Sequence, residues 1–404
     1  MTSPWAAPPE LKKQRIADAS TSNGRNQFVA TVIYKTLPVY RIPFFEALRP
    51  HLRSRGVELR LIYGQPPPGE AMKQDTGHIA WAQPVRNRIF IVGSRKLYWQ
   101  PCLSLLKDSD LVIVEQASKL LINYVLLAKQ RLGKTKVAMW GHGRNFMENS
   151  ASSIGELVKR LISRRAHWWF AYNESSAAVV RDLGFPAHRI TVVQNTIDTE
   201  LLQKKKAATT TLDIEVLRRD LNLRSVNVGI FVGGLYAEKR IEFLLQAARE
   251  IRKRVPDFEL LVVGAGPQAD IVRKAAHKAP WIHYIGPKFN EESVPFLMLS
   301  KVMLLPGAVG LAVIDSFVVE VPLVTVDGSS HGPEIEYLVH GINGLKLDRD
   351  TSPEDYAQAV VGLLKQDRIR SSLQEGCRIA AEKYTLSAMV ERFTEGVIRA
   401  LSSG

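Results

Sequence analysis

The run FVGGLYAEKRIEFLLQAA (231–248) carries the reading of the fold. It begins inside an apolar segment, VNVGIFVGG (226–234), whose continuous valine and isoleucine content suits a parallel strand buried on both faces. Gly233 and Gly234 end that strand, and Lys239 stands at the start of a stretch whose apolar residues recur at helical spacing. Flexible backbone, a cation and a helix start, in that order, are what an α/β fold uses to hold an anionic ligand.

Outward from this run the pattern repeats. Towards the C-terminus, FELLVVGAG (258–266), WIHYIGP (281–287), KVMLLPG (301–307), PLVTVDG (322–328) and GLKLDR (344–349) read as strands. They alternate with helices predicted at 239–254, 267–278, 291–299, 310–319, 353–366 and 368–384, and a closing helix follows at 386–402. Towards the N-terminus, QFVATVIY (27–34), VELRLIYG (57–64), RIFIVG (88–93), LVIVEQ (111–116), KVAMW (136–140), HWWFAY (167–172) and RITVVQN (189–195) form a second strand series. Helices at 41–55, 117–132, 151–164 and 175–184 fit between them. Such alternation predicts an α/β protein of two Rossmann-like, doubly wound parallel-sheet domains. The expected divisions are a disordered leader at 1–26, a first domain at 27–200, a linker at 201–215 where a Lys run meets a Thr run, and a second domain at 216–385. The segment 386–404 is expected to pack back on the first domain.

Composition sets the limits. A chain of 404 residues with 46% apolar and 23% charged residues is long enough for two cores and too apolar for disorder. Cys102 and Cys377 are far apart and support neither a disulfide framework nor a cysteine-rich metal site, and MTSPWAAPPELKKQ lacks the apolar run of a signal peptide. No apolar stretch is long enough to span a bilayer, so the expected compartment is the cytoplasm. Residues 1–206 hold 31 Lys and Arg against 15 Asp and Glu, a net +16, whereas the remainder holds 23 against 25, a net −2. A positive field confined to one half favours a phosphate-bearing substrate or an anionic membrane surface for that half. Aromatic-plus-basic signatures of RNA binding are missing, and nucleic acid is not expected as a partner.

GAGPQA (264–269) follows a strand and opens a helix, matching a loose dinucleotide pattern. It follows the second strand of its domain and no acid ends the next one, so a tight turn is the better reading. The ordered set FVGGLYAEKRIEFLLQAA, LLVVGAGP (260–267), VMLLPGAVGLAVIDSFVVEVPLVT (302–325) and HGPEIEYLVHGINGLKL (331–347) is more specific. This order resembles glycosyltransferase family 4, of the two-domain GT-B class. LPVYRIPFFEALR (37–49), WGHGRN (140–145) and RITVVQNTID (189–198) extend the likeness into the first half.

The resemblance implies a retaining glycosyltransferase that moves a hexosyl unit from a UDP- or GDP-sugar, held by the second domain, to a glycan or lipid-linked acceptor presented by the first. Bacterial surface polysaccharide synthesis is the implied setting, at the inner face of the membrane. Lys239 would contact the diphosphate, the helix start at Gly310, Leu311 and Ala312 would donate amides to it, and Gly233, Gly234 and Gly266 would let backbone approach. Family members commonly carry two glutamates eight positions apart, facing the donor sugar and the ribose. Here those positions are Gly307 and Asp315; Asp315 keeps a carboxylate for the ribose, but Gly307 cannot make the first contact. At Gly234 the family frequently has an arginine, which Arg240 would have to replace. His142 matches a strand-end histidine facing the transferred sugar, which makes His142 and Lys239 the catalytic candidates, while Arg41 and Arg144 are candidates for an acceptor phosphate.

No cofactor and no metal are expected. The strings Asp108-Ser109-Asp110 and Asp348-Arg349-Asp350 read as solvated turns, and no histidine pair has zinc spacing. No carboxylate nucleophile stands out, so a front-face mechanism with the leaving phosphate taking the proton is implied. Two other functions stay open: a catalytically inactive carbohydrate-binding partner, suggested by Gly307 and Gly234, and a sugar-nucleotide epimerase.

Overall fold

A computed structural model describes residues 27–65, 76–93, 95–133, 135–143, 164–328 and 331–403. The expected leader, Arg144 and nearly all of the helix expected at 151–164 lie outside the described residues.

The first unit contains β1 (Phe28–Tyr34), β2 (Val57–Gln65), β3 (Gln83–Arg86), β4 (Arg88–Val92), β5 (Arg95–Trp99), β6 (Leu111–Glu115), β7 (Lys136–Gly141), β8 (Trp168–Ala171) and β9 (Ile190–Val192). Seven of these form one parallel sheet in the order β3-β2-β1-β6-β7-β8-β9. Its central strands are buried on both faces, which is why they read as unbroken apolar runs. The second unit is a six-stranded parallel sheet, β12-β11-β10-β13-β14-β15. Its strands are β10 (Val228–Val232), β11 (Glu259–Val263), β12 (Ile282–Gly286), β13 (Val302–Leu304), β14 (Leu323–Val326) and β15 (Gly344–Leu347). Both sheets are doubly wound, and in each the strand order reverses beside the first strand, between β1 and β6 and between β10 and β13. Such reversals open a crevice at the carboxyl ends of the strands.

One expectation is corrected. RIFIVG is not a strand of the main sheet: β4 pairs antiparallel with β5 as a separate hairpin, from Arg88 opposite Trp99 to Val92 opposite Arg95. An apolar run signals a strand but not its partner, and the sheet edge goes instead to QPVR, where a proline is tolerated. The stretch 201–215, expected as the linker, is built of parts of two helices, Thr199–Ala208 and Thr211–Asp220. The Asp198 side chain caps the first, and a capping box between Thr210 and Asp213 starts the second, so the threonines punctuate helices. Of the Lys run, Lys206 reaches the second unit at the Val318 carbonyl (3.0 Å) and Glu320 (2.7 Å).

The last helix, Leu386–Ser402, lies in the core of the first unit. Phe393 stacks on Phe170 at 4.3 Å and meets Trp140 at 4.8 Å. The chain thus crosses from the first unit to the second and back.

Candidate functional site

On the second unit the reversal between β10 and β13 is built from backbone. Gly233 N–H donates to Val263 O (3.0 Å) and Leu235 N–H to Ala265 O (2.9 Å), which draws the loop after β10 onto the loop after β11. Gly264 and Gly266 make this approach possible: both have positive φ, and a Cβ on Gly266 would lie 2.6 Å from Leu235 O. GAGPQA is therefore a packing turn between two strand ends. After the β10 loop the chain makes a single turn at Ala237–Lys239, and Arg240 adopts a left-handed conformation before helix Ile241–Arg254.

The loop after β13 closes against that turn. Ala308 N–H donates to Glu238 O (2.8 Å), and Lys239 Nζ donates to Ala308 O. Lys239 is partly buried, which pulls its ammonium below the usual lysine range while Glu238 opposes the shift. His331 braces the same loop. Its Nδ1 accepts from Val309 N–H (3.0 Å) and its Nε2 lies 2.9 Å from Val326 O, which fixes a neutral tautomer protonated on Nε2. Gly310 and Leu311 then lead into helix Ala312–Val319, with the partly buried Asp315 in its first turn. Burial pushes the Asp315 carboxyl up to about 7.

On the first unit the corresponding edge is made of side chains. At the reversal, Glu115 at the end of β6 accepts from Lys35 N–H, just past β1, and burial raises its carboxyl to about 7 despite this bond and the nearby Lys35 and Lys119. Lys35 Nζ sits 4.3 Å over the Tyr98 ring. One strand further, His142 follows β7 with its ring edge-on to Tyr172 at 4.5 Å. Burial, helped by Arg41, draws its imidazole down to about 4, leaving it neutral at pH 7. Glu115 escaped the sequence reading although it lies within the quoted run LVIVEQ; its place at the carboxyl end of a central strand was the available signal.

Arg41, a candidate for an acceptor phosphate, lies inside the first unit. It is fully buried, with its guanidinium 5.0 Å from the rings of Trp140 and Tyr40, and Nη2 donates to Asn195 Oδ1. Burial opposes its charge, but an arginine this far above its titration range stays cationic at neutral pH. Asn195 Nδ2 in turn donates to Glu334 Oε1 (2.6 Å) on the second unit. Nearby, Asn173 donates to Pro333 O, and Glu336 accepts from Ser175 N–H (2.7 Å) at a helix start of the first unit. HGPEIEYL (331–338) thus braces the loop after β13 at one end and docks the two units at the other.

Residues 44–201 match the family described as Glycosyltransferase Family 4, and residues 226–366 match the one described as Glycosyl transferases group 1. The chain belongs to glycosyltransferase family 4. It is 27% identical over 179 residues to the alpha-D-kanosaminyltransferase of Streptomyces kanamyceticus, covering 43% of this chain and 45% of that protein. The chain spans about half the length of the curated relatives it matches. Its fold is similar to that of HepE from Anabaena, solved in complex with UDP, at a TM-score of 0.69 and 14% identity over 92% of this chain and 100% of that one. A glycosyltransferase from Rickettsia africae is similar at 0.68 and 14% over 94% and 100%. These neighbours are GT-B glycosyltransferases, and the two facing α/β domains described above are that fold.

Against the family pattern, the two glycine departures have structural counterparts. A Cβ on Gly307 would lie 2.5 and 2.7 Å from the carbonyl carbon and Cα of Lys239 and closer still to Glu238 O, so the turn carrying Lys239 fills the space of the missing glutamate. A Cβ on Gly234 would lie 2.7 Å from Tyr236 Cδ2 and closer still to Cε2, and Arg240 stacks over Phe243 at 4.2 Å. Among the described residues no group of three or more His, Cys, Asp or Glu converges as a metal site. Asp110 accepts from Val29 N–H at 2.7 Å.

Proposed function

We propose that this chain transfers a hexosyl unit from a UDP- or GDP-sugar to a glycan or lipid-linked acceptor with retention of anomeric configuration and without a metal ion. The observation that carries the reading is the reversal at β10/β13, where Lys239 is held beside the start of helix Ala312–Val319 with Asp315 one turn within it. A partly desolvated cation and free amides of a helix start are placed to stabilise the diphosphate as it leaves, and a carboxylate there can accept from ribose hydroxyls. HepE's complexes with UDP and UDP-glucose support a uridine donor. Neutral His142, across the cleft, can donate to or accept from a sugar hydroxyl without adding charge. The acceptor hydroxyl would attack on the face that the diphosphate leaves, the phosphate taking its proton. The basic first half supports an anionic, lipid-linked acceptor in surface polysaccharide synthesis and a peripheral position at the inner membrane face. UDP, GDP and ADP titrated into wild-type protein and Lys239→Ala by calorimetry test the donor assignment: one diphosphate should bind, more weakly to the variant, and equal binding to both proteins would remove Lys239 from the site.

One observation favours a second reading. With Gly307 sealed under the Lys239 turn, the family's first carboxylate has no place, which suits a partner subunit that binds donor without turning it over. Sugar release from the bound donor separates the two.

A further inference from the structure

The hairpin β4–β5 has a rigid root and an apolar tip. At the root, Asn87 Nδ2 donates to Lys35 O (2.9 Å) and Gln65 O (3.2 Å), and Gln100 Nε2 donates to Tyr34 O (2.8 Å). Tyr98 N–H donates to Lys119 O (2.8 Å), and Tyr98 is itself buried. Gly64 leaves the space that Asn87 occupies. Both ends of the hairpin are therefore tied to the carboxyl ends of β1 and β2, on the same edge as Glu115 and His142. At the tip, Phe90, Ile91 and Val92 are 49, 73 and 61% exposed. Among the described residues no other run of three consecutive large apolar side chains is exposed; elsewhere such residues are scattered singly, as is ordinary. A two-stranded ribbon gains nothing in water from showing three of them together.

The charge around the tip is one-signed. Residues 76–107 contain five Lys and Arg and no Asp or Glu, and Arg86, Arg88 and Lys96 are exposed. The basic residues on the helix after β1 are engaged differently: Arg49 and Arg53 both pair with Glu58 (3.1 and 3.2 Å), and Arg55 lies 4.0 Å from Glu391. Arg86, Arg88 and Lys96 thus bring positive charge to the hairpin, beside its apolar tip. Apolar side chains flanked by cations, on a rigid projection whose backbone is hydrogen-bonded within the ribbon, match the chemistry of an anionic bilayer surface.

We infer that the β4–β5 hairpin is a membrane-docking element that inserts Phe90, Ile91 and Val92 into the interface of an anionic bilayer, with Arg86, Arg88 and Lys96 on the lipid head groups. This deepens the peripheral, lipid-linked reading above. It places the Lys35–Glu115–His142 edge against the membrane, where an acceptor with a lipid tail would present its head. A protein partner or a second copy of the chain covering the same tip is the competing occupant, and the experiment distinguishes them.

Full-length protein is sedimented with vesicles of phosphatidylcholine alone or with 30% phosphatidylglycerol, at low and high salt, without nucleotide. Binding should require the anionic lipid and weaken at least tenfold at high salt, because screening removes the head-group attraction. The variant Phe90→Ser/Ile91→Ser/Val92→Ser should lose at least tenfold in binding, and Arg88→Glu/Lys96→Glu should lose it in a salt-sensitive way. The UDP-induced melting shift of each variant, measured in parallel, reports that the fold and donor site are intact and stands or falls separately from the membrane result. Failure of wild type to bind anionic vesicles at low salt, undiminished binding by the triple serine variant, or a wild-type dimer that the triple variant dissociates without any lipid binding would each overturn the proposal.

Discussion

The two sheets reverse their strand order in the same way, yet the crevices they open differ in construction. At β10/β13 the walls are mostly backbone: Gly264, Gly266 and Gly307 let strand-end loops approach to contact distance, His331 braces them, and Lys239 projects among them. At β1/β6 they are side chains: Glu115, Lys35, Arg41 and Tyr172 fill the edge, and the charges of Lys35 and Arg41 oppose the effect of burial on Glu115. A backbone cradle suits a ligand whose phosphates are the same in every member of a family, whereas a side-chain wall can change its ligand by substitution. The first should therefore fail through loss of shape or of its one cation, and the second through loss of chemistry.

The largest expected effect tests the side-chain wall. His142→Ala should lower turnover at least about 100-fold, the usual scale for a group acting on protons or hydroxyls at the reacting centre, while UDP affinity stays within about threefold. Turnover by a folded variant at the wild-type rate would move His142 out of the reaction. Because its imidazole is depressed to about 4, it binds fewer protons folded than unfolded between that value and 6.5. Native stability from this residue is therefore present above pH 6.5 and is lost as pH falls towards 4.

The backbone wall was the more legible in the sequence, for a physical reason. Glycines at strand ends, a lysine at a helix start and an apolar helix with one acid are contiguous signals, and they fall together at the observed reversal. The side-chain wall draws Tyr34 from the end of β1, Arg41 from beyond it, Glu115 from β6, His142 from beyond β7 and Asn195 from beyond β9, so no local spacing joins them. Arg41 shows the limit most clearly: its type and position suggested an exposed phosphate contact, and only the packing of Trp140, Tyr40 and Tyr172 around it reveals a buried cation that reaches the second unit through Asn195 and Glu334. The hairpin was misread for the same reason, since its apolar run looks like a core strand until its exposure is known.

Next in size is the cation in the cradle. Lys239→Ala should weaken UDP by about 1.5–3 kcal/mol, the range for hydrogen bonds to charged groups, and leave uridine unchanged. Equal losses for the two ligands in calorimetry would mean that the lysine acts on the loop and not on phosphate. Shape is tested by Gly307→Ala. With Lys239 Cα 2.7 Å from the added methyl group, the Lys239 turn must shift, and overpacking of this kind costs about 1–3 kcal/mol of stability. A melting temperature and UDP affinity equal to wild type would show that the cradle yields freely, and the contrast between the two walls would weaken accordingly.

The smallest effect separates shape from charge within the cradle itself. Asp315 has its carboxyl raised to about 7 by burial, so the folded protein holds a proton there that the unfolded chain releases near the ordinary aspartate value of 3.8. The sign follows from proton counting: between those two values the native state binds more protons, and this residue's contribution to stability falls as pH rises. Ribose binding runs the other way. Two hydroxyls need an acceptor with both oxygens free, which the carboxylate is and the protonated acid is not, so UDP affinity should rise several-fold from pH 6 to 8 while the unliganded protein loses stability from pH 5 to 7. Asp315→Asn keeps the size and removes the titration, and should flatten both trends relative to wild type, with a 2′,3′-dideoxy analogue of UDP insensitive to the substitution. UDP affinity in wild-type protein that does not change between pH 6 and 8, or an Asn variant that retains the rise, would leave Asp315 as a buried helix acid and return the donor site to Lys239 and backbone alone.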